Sequence, residues 1–284
     1  MRKLIILVLI LMQYACKKVI NLDLPERDTR IVVSGLITNE NTFYYVKLTK
    51  TSKYNFIYDV KKENYEQNAL VIINDNVGNT DTLDEFSFGT YRTHKNKIMG
   101  AVGSSYKVDI FTSEGKHLAS AMEEMPDVPK IDSIYFERDP TKTYQGNRNS
   151  YLCDIYIDWQ EPANETNYYL RSYSYNWSNQ WHDNIGWNWV FSDKYINGNY
   201  LKKENITESY GGKNWKFKLS QYSLTKKAYD FWNLVHEQTQ SGDNYSNSSV
   251  PLIGNVYNVD NPDDYALGYF QVSALATKEI YIDR

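Results

Sequence analysis

The stretch that decides the fold is Arg30–Ile37, which reads RIVVSGLI. Its β-branched and aliphatic side chains favour an extended strand, because they fit a pleated, half-buried surface. Farther along the chain, Tyr44, Val46 and Leu48 alternate with more polar neighbours. This period of two is typical of a strand with one buried face. The folded part of the chain is therefore expected to begin with β-structure.

The same signals continue through the next eighty residues. Further strand-like segments are separated by polar turns, and they are Asn68–Ile73, Gly89–Tyr91, Tyr106–Phe111 and Leu118–Met122. Turn-forming residues at this spacing indicate short antiparallel strands packed as two sheets. We therefore predict a β-sandwich of the immunoglobulin or transthyretin kind over residues 30–124.

A proline-containing segment, MPDVPK at residues 125–130, interrupts this pattern. Proline fixes its own backbone angle and disfavours helix in the residue before it, so the segment should be stiff and extended. We interpret it as a connector between two domains. The second domain is predicted to span residues 131–284.

The second domain also reads mainly as β-structure. One predicted face of the segment Tyr151–Trp159 carries Tyr151, Cys153, Ile155, Ile157 and Trp159. Cys153 on this face is expected to be a small buried hydrophobe rather than a nucleophile. Closing strands are predicted at Ile253–Val259, Leu267–Ala274 and Thr277–Ile282.

One long helix is predicted near the C-terminus, at about residues 225–240. Thr225 is a suitable N-cap residue. The positions that follow it at helical spacing are apolar, namely Ala228, Phe231, Trp232 and Val235. The predicted fold class is thus mainly β, with one helix in an aromatic-rich second domain.

The N-terminus, upstream of the fold, has the organisation of a secretory signal. Arg2 and Lys3 precede an apolar run that ends before Gln13-Tyr14-Ala15-Cys16. A cysteine after a small residue resembles the lipobox of bacterial lipoproteins, which implies cleavage after residue 15 and lipidation of Cys16. The run is about half the ~20 residues that a membrane-spanning helix needs. That alternative and secretion without a lipid are the competing interpretations.

Residues 16–29 would then be a tether that lifts the fold off the membrane. Pro25 and the mixed charges around it suit an extended linker. Lipidation would consume the thiol of Cys16, and it would leave Cys153 without a disulfide partner in the chain.

Composition and charge limit the partners. The chain has 31 basic and 35 acidic residues, and removal of Arg2 and Lys3 with the signal leaves 29 against 35, a net charge of −6. An acidic chain without a basic stripe is not expected to bind nucleic acid. The 26 tyrosines and 7 tryptophans fit a chain of strands better than a helical bundle.

The best candidate for a binding site is the aromatic stretch from Tyr168 to Tyr200. Aromatic rings anchor ligands and protein interfaces, but they also fill β-cores. We assign ligand or partner contact to Trp177, Trp181, His182, Trp187 and Trp189. Trp181 is predicted to stand in a polar loop beside His182 and Asp183, where a role in the core is harder to explain.

No catalytic or metal-binding pattern stands out from the sequence. The histidines lack the spacing of known metal motifs, and they are His94, His117, His182 and His236. The acidic run Asp260–Asp264 lacks the calcium-loop spacing and is expected to be a solvated turn. We therefore predict a binding protein rather than an enzyme, with no cofactor and no metal.

Several segments, taken in order, resemble a Bacteroidetes lipoprotein family known as DUF4249. They are Cys16 with Asn21–Pro25, Val32–Asn39, Met125–Tyr135, Ala228–Trp232, Asn255–Val259 and Leu267–Phe270. The family has no assigned activity. Its members resemble outer-membrane lipoproteins that are often encoded beside TonB-dependent receptors, the active importers of that membrane.

This resemblance implies a lipid-anchored accessory protein that partners a TonB-dependent receptor in nutrient uptake, exposed at the cell surface. A glycan-directed surface hydrolase and a structural or adhesion protein are the alternatives. Two short motifs, Asp81-Thr82-Leu83 and Asp132-Ser133-Ile134, resemble Bacteroidetes O-glycosylation sites. They would make Thr82 and Ser133 the modified residues.

Overall fold

The computed structural model describes residues 28–52, 64–143, 150–176, 180–184, 188–212, 214–240 and 250–282, and within them the side chains of residues 139–143, 150 and 240 are excluded. The predicted signal peptide, Cys16 and almost all of the predicted tether lie outside the described residues. No helix within these residues is long and apolar enough to cross a membrane.

Eighteen strands and one helix are described. In chain order they are β1 (Ile31–Ile37), β2 (Tyr45–Lys50), β3 (Leu70–Asp75), β4 (Thr80–Ser87), β5 (Thr90–Arg92), β6 (Ser105–Phe111), β7 (His117–Ser120), β8 (Glu123–Glu124), β9 (Ile131–Thr143), β10 (Ser150–Gln160), β11 (Tyr168–Asn176), β12 (Trp181–Asp183), β13 (Trp189–Ser192), β14 (Tyr200–Gly212), β15 (Lys216–Leu224), α1 (Lys226–Gln240), β16 (Val256–Asn258), β17 (Leu267–Val272) and β18 (Leu275–Tyr281).

The first strands form a sheet that folds back on itself into a sandwich. Its order is β16-β7-β6-β3-β4-β5-β2-β1-β17, with β8 attached to β6. Strand β4 joins the two halves, because its first residues pair with β3 and its last residues pair with β5. Side chains from both halves share one core, among them Val33, Leu48, Ile73 and Ile110. The predicted strand at residues 30–37 is confirmed as β1, in the middle of one half.

Two strands from the end of the chain complete this first sandwich. Strand β17 pairs in parallel with β1, from Val32 opposite Leu267 to Ile37 opposite Val272. Strand β16 pairs with β7. The prediction placed both strands in the second domain, but Phe270 and Val272 are fully buried in the first core. The physical reason is that β1 would otherwise be an open edge beside that core.

The second sandwich consists of two smaller sheets. One has the order β14-β10-β9, and the other has the order β12-β11-β15-β18 with β13 also paired to β11. They enclose a core that contains Cys153, Ile155, Trp159, Phe217 and Leu219. Aromatic and aliphatic residues at alternate positions of β10, β11 and β15 supply this core, as the period of two requires.

The connector at residues 125–130 is tied to both sandwiches. Met125 is buried in the first core and Val128 packs against both cores. The hydroxyl of Ser223 donates to the carbonyl oxygen of Pro126 at 2.7 Å. The segment contains no helix or strand, and the side-chain amide of Gln221 also donates to the carbonyl oxygen of Pro129 at 3.3 Å.

Helix α1 confirms the predicted helix and covers part of two sheets. The backbone N–H of Ala228 donates to the Thr225 hydroxyl at 3.2 Å, which is the N-cap that the sequence predicts. The buried face of the helix packs against Leu170, Leu224 and Tyr269. Because Tyr269 belongs to β17, the helix also links the second sandwich to the first.

Candidate functional site

The five-stranded sheet of the second sandwich carries the aromatic stretch, and alternation divides its side chains between two faces. Odd-numbered residues of β11, such as Tyr169 and Tyr173, enter the core between the sheets. Even-numbered residues lie on the outer face. Helix α1 covers one end of that outer face, over Leu170 and Leu224. The opposite end is not covered by the helix.

The uncovered end forms a solvent-facing surface that we name the platform, defined by Trp181, Lys216, Lys218 and Tyr281. In the strand register, Trp181 lies opposite Asn176, Asn176 opposite Lys216, and Lys216 opposite Tyr281. Cross-strand partners project from the same face. The row therefore places two aromatic rings and a lysine side by side on four adjacent strands.

Each ring of the platform is paired with a lysine. The Lys218 ammonium lies 4.7 Å from the centroid of the Trp181 ring, and the Lys216 ammonium lies 4.7 Å from that of Tyr281. Hydrogen bonding to Tyr281 raises the pKa of Lys216. Trp181 is 37% exposed and Tyr281 is 60% exposed. Such cation–π pairs orient exposed side chains.

Small polar residues form the floor of the platform. Ser174 and Asn176 are buried beneath the longer side chains. Acidic residues border it, since Asp183 lies opposite Ser174 and Glu279 opposite Lys218. The platform thus combines apolar ring area with cations and carboxylates on a rigid sheet.

The structure separates the residues that the sequence grouped as one site. The predicted polar loop is wrong at Trp181–Asp183, which form strand β12 because they pair with the end of β11, and Trp181 faces solvent on the platform. His182 lies opposite Tyr175, whose ring packs against the second core, so it projects from the inner face. Trp189 lies opposite Arg171 and also packs against that core. Trp177 and Trp187 lie outside the described residues. Of the described candidates, the outer face carries Trp181 and the core face carries His182 and Trp189.

Trp189 belongs to a buried cluster around Arg171. The guanidinium carbon lies 4.9 Å from the ring centroid of Trp159, 4.6 Å from that of Phe191 and 5.6 Å from that of Trp189. Burial lowers the pKa of Arg171, although the nearby carboxylate of Glu204 opposes this effect. The arginine is thus enclosed by aromatic rings.

Hydrogen bonds fix the Arg171 side chain. Its Nη1 donates to Glu204 Oε1 at 2.8 Å, and its Nε donates to Gln221 Oε1 at 2.7 Å. Trp159 donates to the second oxygen of Glu204 at 2.6 Å. Truncating one partner of a buried ion pair costs several kcal/mol, because the other charge stays buried. This cluster therefore orders the core beneath the sheet.

Glu161 is a buried glutamic acid in the second sandwich with a strongly raised pKa. Its Oε1 accepts hydrogen bonds from the Tyr169 hydroxyl at 3.0 Å and from the Asn167 amide at 3.2 Å. Burial raises the pKa of Glu161 to about 7, despite these bonds and the nearby charge of Arg171. A carboxyl with such a pKa can exchange a proton near neutrality. Glu161 has no exposed surface, so a dissolved substrate does not contact it in this conformation.

Sequence reasoning did not single out Glu161 or the Arg171 cluster. One local signal could have revealed the cluster. Arg171 stands between Tyr169 and Tyr173 at alternate positions, so a charged residue shares a predicted strand face with aromatic residues. A charge at a core position requires a partner. Glu204 is thirty-three residues later, so local pattern does not identify it.

The remaining predicted residues have clear surroundings. Cys153 is buried, and burial raises the pKa of its thiol to about 12, which agrees with an unreactive core residue. Thr82 is exposed, whereas the half-buried Ser133 donates to Asp158 Oδ2 at 2.7 Å. Of the two hydroxyls, Thr82 is the more accessible to a modifying enzyme.

The acidic turn Asp260–Asp264 is held by internal contacts. Asp264 pairs with Lys116 at 2.7 Å and with Arg30 at 3.7 Å. The side chain of Asn258 accepts the backbone N–H groups of Asp260 and Asn261. In the described part of the chain, no group of three or more His, Cys, Asp or Glu side chains could hold a metal ion.

The chain was compared with protein families and with curated protein sequences. No curated protein sequence matches the chain. The family model described as "Domain of unknown function (DUF4249)" matches residues 17–279. That match covers nearly all of the chain after the predicted signal peptide and includes both sandwiches, the connector and the helix. The chain therefore belongs to the DUF4249 family.

Proposed function

We propose that this protein is a lipid-anchored binding subunit of the bacterial outer membrane, which docks on a TonB-dependent receptor and assists nutrient uptake. The observation that carries the proposal is the platform, where Trp181 and Tyr281 stand on a rigid sheet face with a lysine over each ring. Tryptophan and tyrosine are the residues that most often dominate the binding energy of protein interfaces. The cleavage pattern before Cys16 supports the lipid anchor, and the family resemblance supports the partner.

The geometry favours a binding role over catalysis. The platform is an open sheet face, which offers contact area without enclosing a substrate. Among the described residues, Glu161 is a carboxyl whose pKa burial raises to about 7, and its side chain is fully buried. We therefore assign no catalytic residue.

The lysines also favour a protein partner over a sugar. A sugar ring stacks on a bare aromatic face, but each platform ring already has an ammonium group above one face. Carboxylates and aliphatic groups of a protein surface complement that arrangement. The proposed ligand of the platform is accordingly the receptor itself.

Purification from native membranes tests the proposal. The wild-type protein is isolated in mild detergent, and co-purifying TonB-dependent receptor is quantified by mass spectrometry. We expect Trp181→Ala combined with Tyr281→Ala to reduce receptor recovery at least tenfold, because a central aromatic anchor contributes about 2 kcal/mol or more. Tyr195→Ala is a matched control, since Tyr195 is 84% exposed and has Lys194 at 5.1 Å from its ring.

Two results would contradict the proposal. If repeated purifications recover no TonB-dependent receptor, then such a receptor is not the partner of this protein. If the double variant and the wild type recover equal amounts of receptor, then the platform is not the docking surface. Mass spectrometry of the N-terminal peptide tests the anchor separately, and the expected result is a cysteine at position 16 that carries fatty acids.

A further inference from the structure

A second exposed aromatic cluster lies on the first sandwich, around Arg92. Its guanidinium carbon is 4.7 Å from the ring centroid of Phe43 and 4.3 Å from that of Phe86. Tyr45 lies opposite Arg92 in the register, and its ring meets Phe86 edge-on at 6.1 Å. We name these four residues, Phe43, Tyr45, Phe86 and Arg92, the Arg92 patch.

Local strand geometry builds the patch. Strand β5 is three residues long and ends at Arg92. Its register with β4 shifts between Glu85 and Ser87, so Phe86 has no direct partner on β5. Such an irregularity bends a strand and re-aims a side chain. The ring of Phe86 thereby lies against the guanidinium.

The patch is the open end of a partly covered sheet face. One row of the register runs from Gln271 through Leu36 and Tyr45 to Arg92. Helix α1 covers the start of this row, where Trp232 donates to Gln271 at 2.8 Å. At the other end, large rings face solvent, and the exposed fractions are 37% for Phe43, 42% for Tyr45 and 57% for Phe86.

Arg92 makes no salt bridge or side-chain hydrogen bond to any residue in the described ranges. Its natural partner would be Asp84, which lies opposite it on β4. The carboxylate of Asp84 instead meets His94 Nε2 at 3.0 Å. The other acid nearby, Glu85, uses both oxygens to accept the backbone N–H groups of Gly89 and Asn68. The guanidinium donors of Arg92 are therefore left for an external acceptor.

We propose that the Arg92 patch binds an acidic segment of a protein partner, with a carboxylate on the guanidinium of Arg92. A guanidinium offers a planar fork that matches a carboxylate in a two-pronged hydrogen bond. The flanking rings restrict its rotation, so less conformational freedom is lost on binding. Phe43 and Phe86 have no polar side-chain atoms, so the surroundings suit apolar side chains of a polypeptide better than sugar hydroxyls. This inference does not depend on the platform or on the identity of the receptor.

Selection from a random peptide library tests the inference, because such a selection does not require an identified partner. Twelve-residue peptides displayed on phage are panned against the full chain in detergent micelles, with depletion on the Arg92→Gln variant. We expect the retained peptides to be enriched in Asp and Glu. In fluorescence anisotropy, individual peptides should lose at least tenfold in affinity for Arg92→Gln, whereas Arg92→Lys should lose less because it keeps the charge.

Matched variants separate the contact from general effects of charge and folding. Lys202→Gln removes an exposed cation from the other sandwich, outside the platform, and should leave peptide affinity unchanged. Phe86→Ala should weaken binding, because it removes one ring beside the guanidinium. Thermal unfolding is expected to show that Arg92→Gln folds as the wild type does, since the side chain has no polar partner within the described structure.

Three results would overturn the inference. They are retained peptides without enrichment in acidic residues, peptide affinities for Arg92→Gln within threefold of wild type, and an Arg92-dependent affinity for polygalacturonate with none for peptides. The last result would assign the site to an acidic polysaccharide. None of these results concerns receptor recovery by the Trp181 and Tyr281 variants, so the two proposals fail separately.

Discussion

At the scale of single residues, the second sandwich is notable for charges inside an aromatic core. Arg171 is fully buried, yet its charge is matched by Glu204 and its ring contacts are with Trp159, Trp189 and Phe191. Glu161 is equally buried but has only neutral donors on one oxygen. The arginine therefore keeps its charge, whereas the glutamic acid has a pKa of about 7.

This difference predicts that Glu161 contributes a pH-dependent part of the stability. Its pKa is about 7 in the folded chain, against an ordinary value of 4.5. Between these values the folded state retains a proton that the unfolded chain releases, so the contribution of Glu161 to stability falls as pH rises through that window and is constant above it. Glu161→Gln has no charge to bury, so it should exceed wild type by about 3 kcal/mol at pH 8 and match it near pH 4.5.

Urea unfolding at several pH values measures this effect. Glu165→Gln is the control, because Glu165 is exposed and only four residues away. The groups that face Glu161 are Tyr169 and Asn167, with the charges of Asp193 and Arg171 nearby. If the stability of the wild type and that of Glu161→Gln change with pH in parallel, then folding does not raise the pKa of Glu161.

At the scale of elements, the local pattern of the sequence predicts the strands and the helix, but not their partners. Strand β1 and helix α1 were predictable because β-branched residues, the Thr225 cap and helical spacing are local signals. The pairing of β1 with β17 joins residues more than two hundred positions apart, and no local pattern encodes such a register. The aromatic stretch made both Trp181 and Trp189 candidates, and the polar neighbours of Trp181 were the local signal that it lies outside the core.

The junction of β1 and β17 makes a specific prediction for Gly268. This residue has a φ of +84°, and a Cβ atom there would overlap the carbonyl oxygen of Val33. Gly115 has nearly the same φ, +85°, but has no neighbouring atom within 4 Å of such a Cβ. Gly115→Ala should cost about 1–2 kcal/mol of left-handed backbone strain. Gly268→Ala should cost roughly 2 kcal/mol more, because the strand itself must move.

The free energies of unfolding of the two variants, measured in urea under identical conditions, give the comparison. The difference between them isolates the close approach of the two strands from the backbone angle that they share. Equal losses for the two variants would mean that β17 does not lie against β1 as described.

At the scale of the whole molecule, the chain is not two domains in sequence. The first sandwich takes β16 and β17 from the end of the chain, and helix α1 contacts β17 as well as the second sandwich. The connector contributes Met125 to one core and Val128 to both. A proline-containing segment was a sound reason to predict a boundary, but sequence order does not decide which core a later strand enters.

This arrangement predicts the behaviour of fragments. Residues 28–128 alone lack β17, so they expose one edge of β1 and lose Phe270 and Val272 from the core. We expect this fragment to unfold without a cooperative transition, because fully burying each such side chain contributes about 1.5–3 kcal/mol and net stability is only about 5–15 kcal/mol. A fusion that appends residues 250–274 through a flexible glycine–serine linker should regain a cooperative transition in circular dichroism. If residues 28–128 unfold as sharply as the full chain without the appended segment, then the return of the C-terminal strands is not what completes the first sandwich.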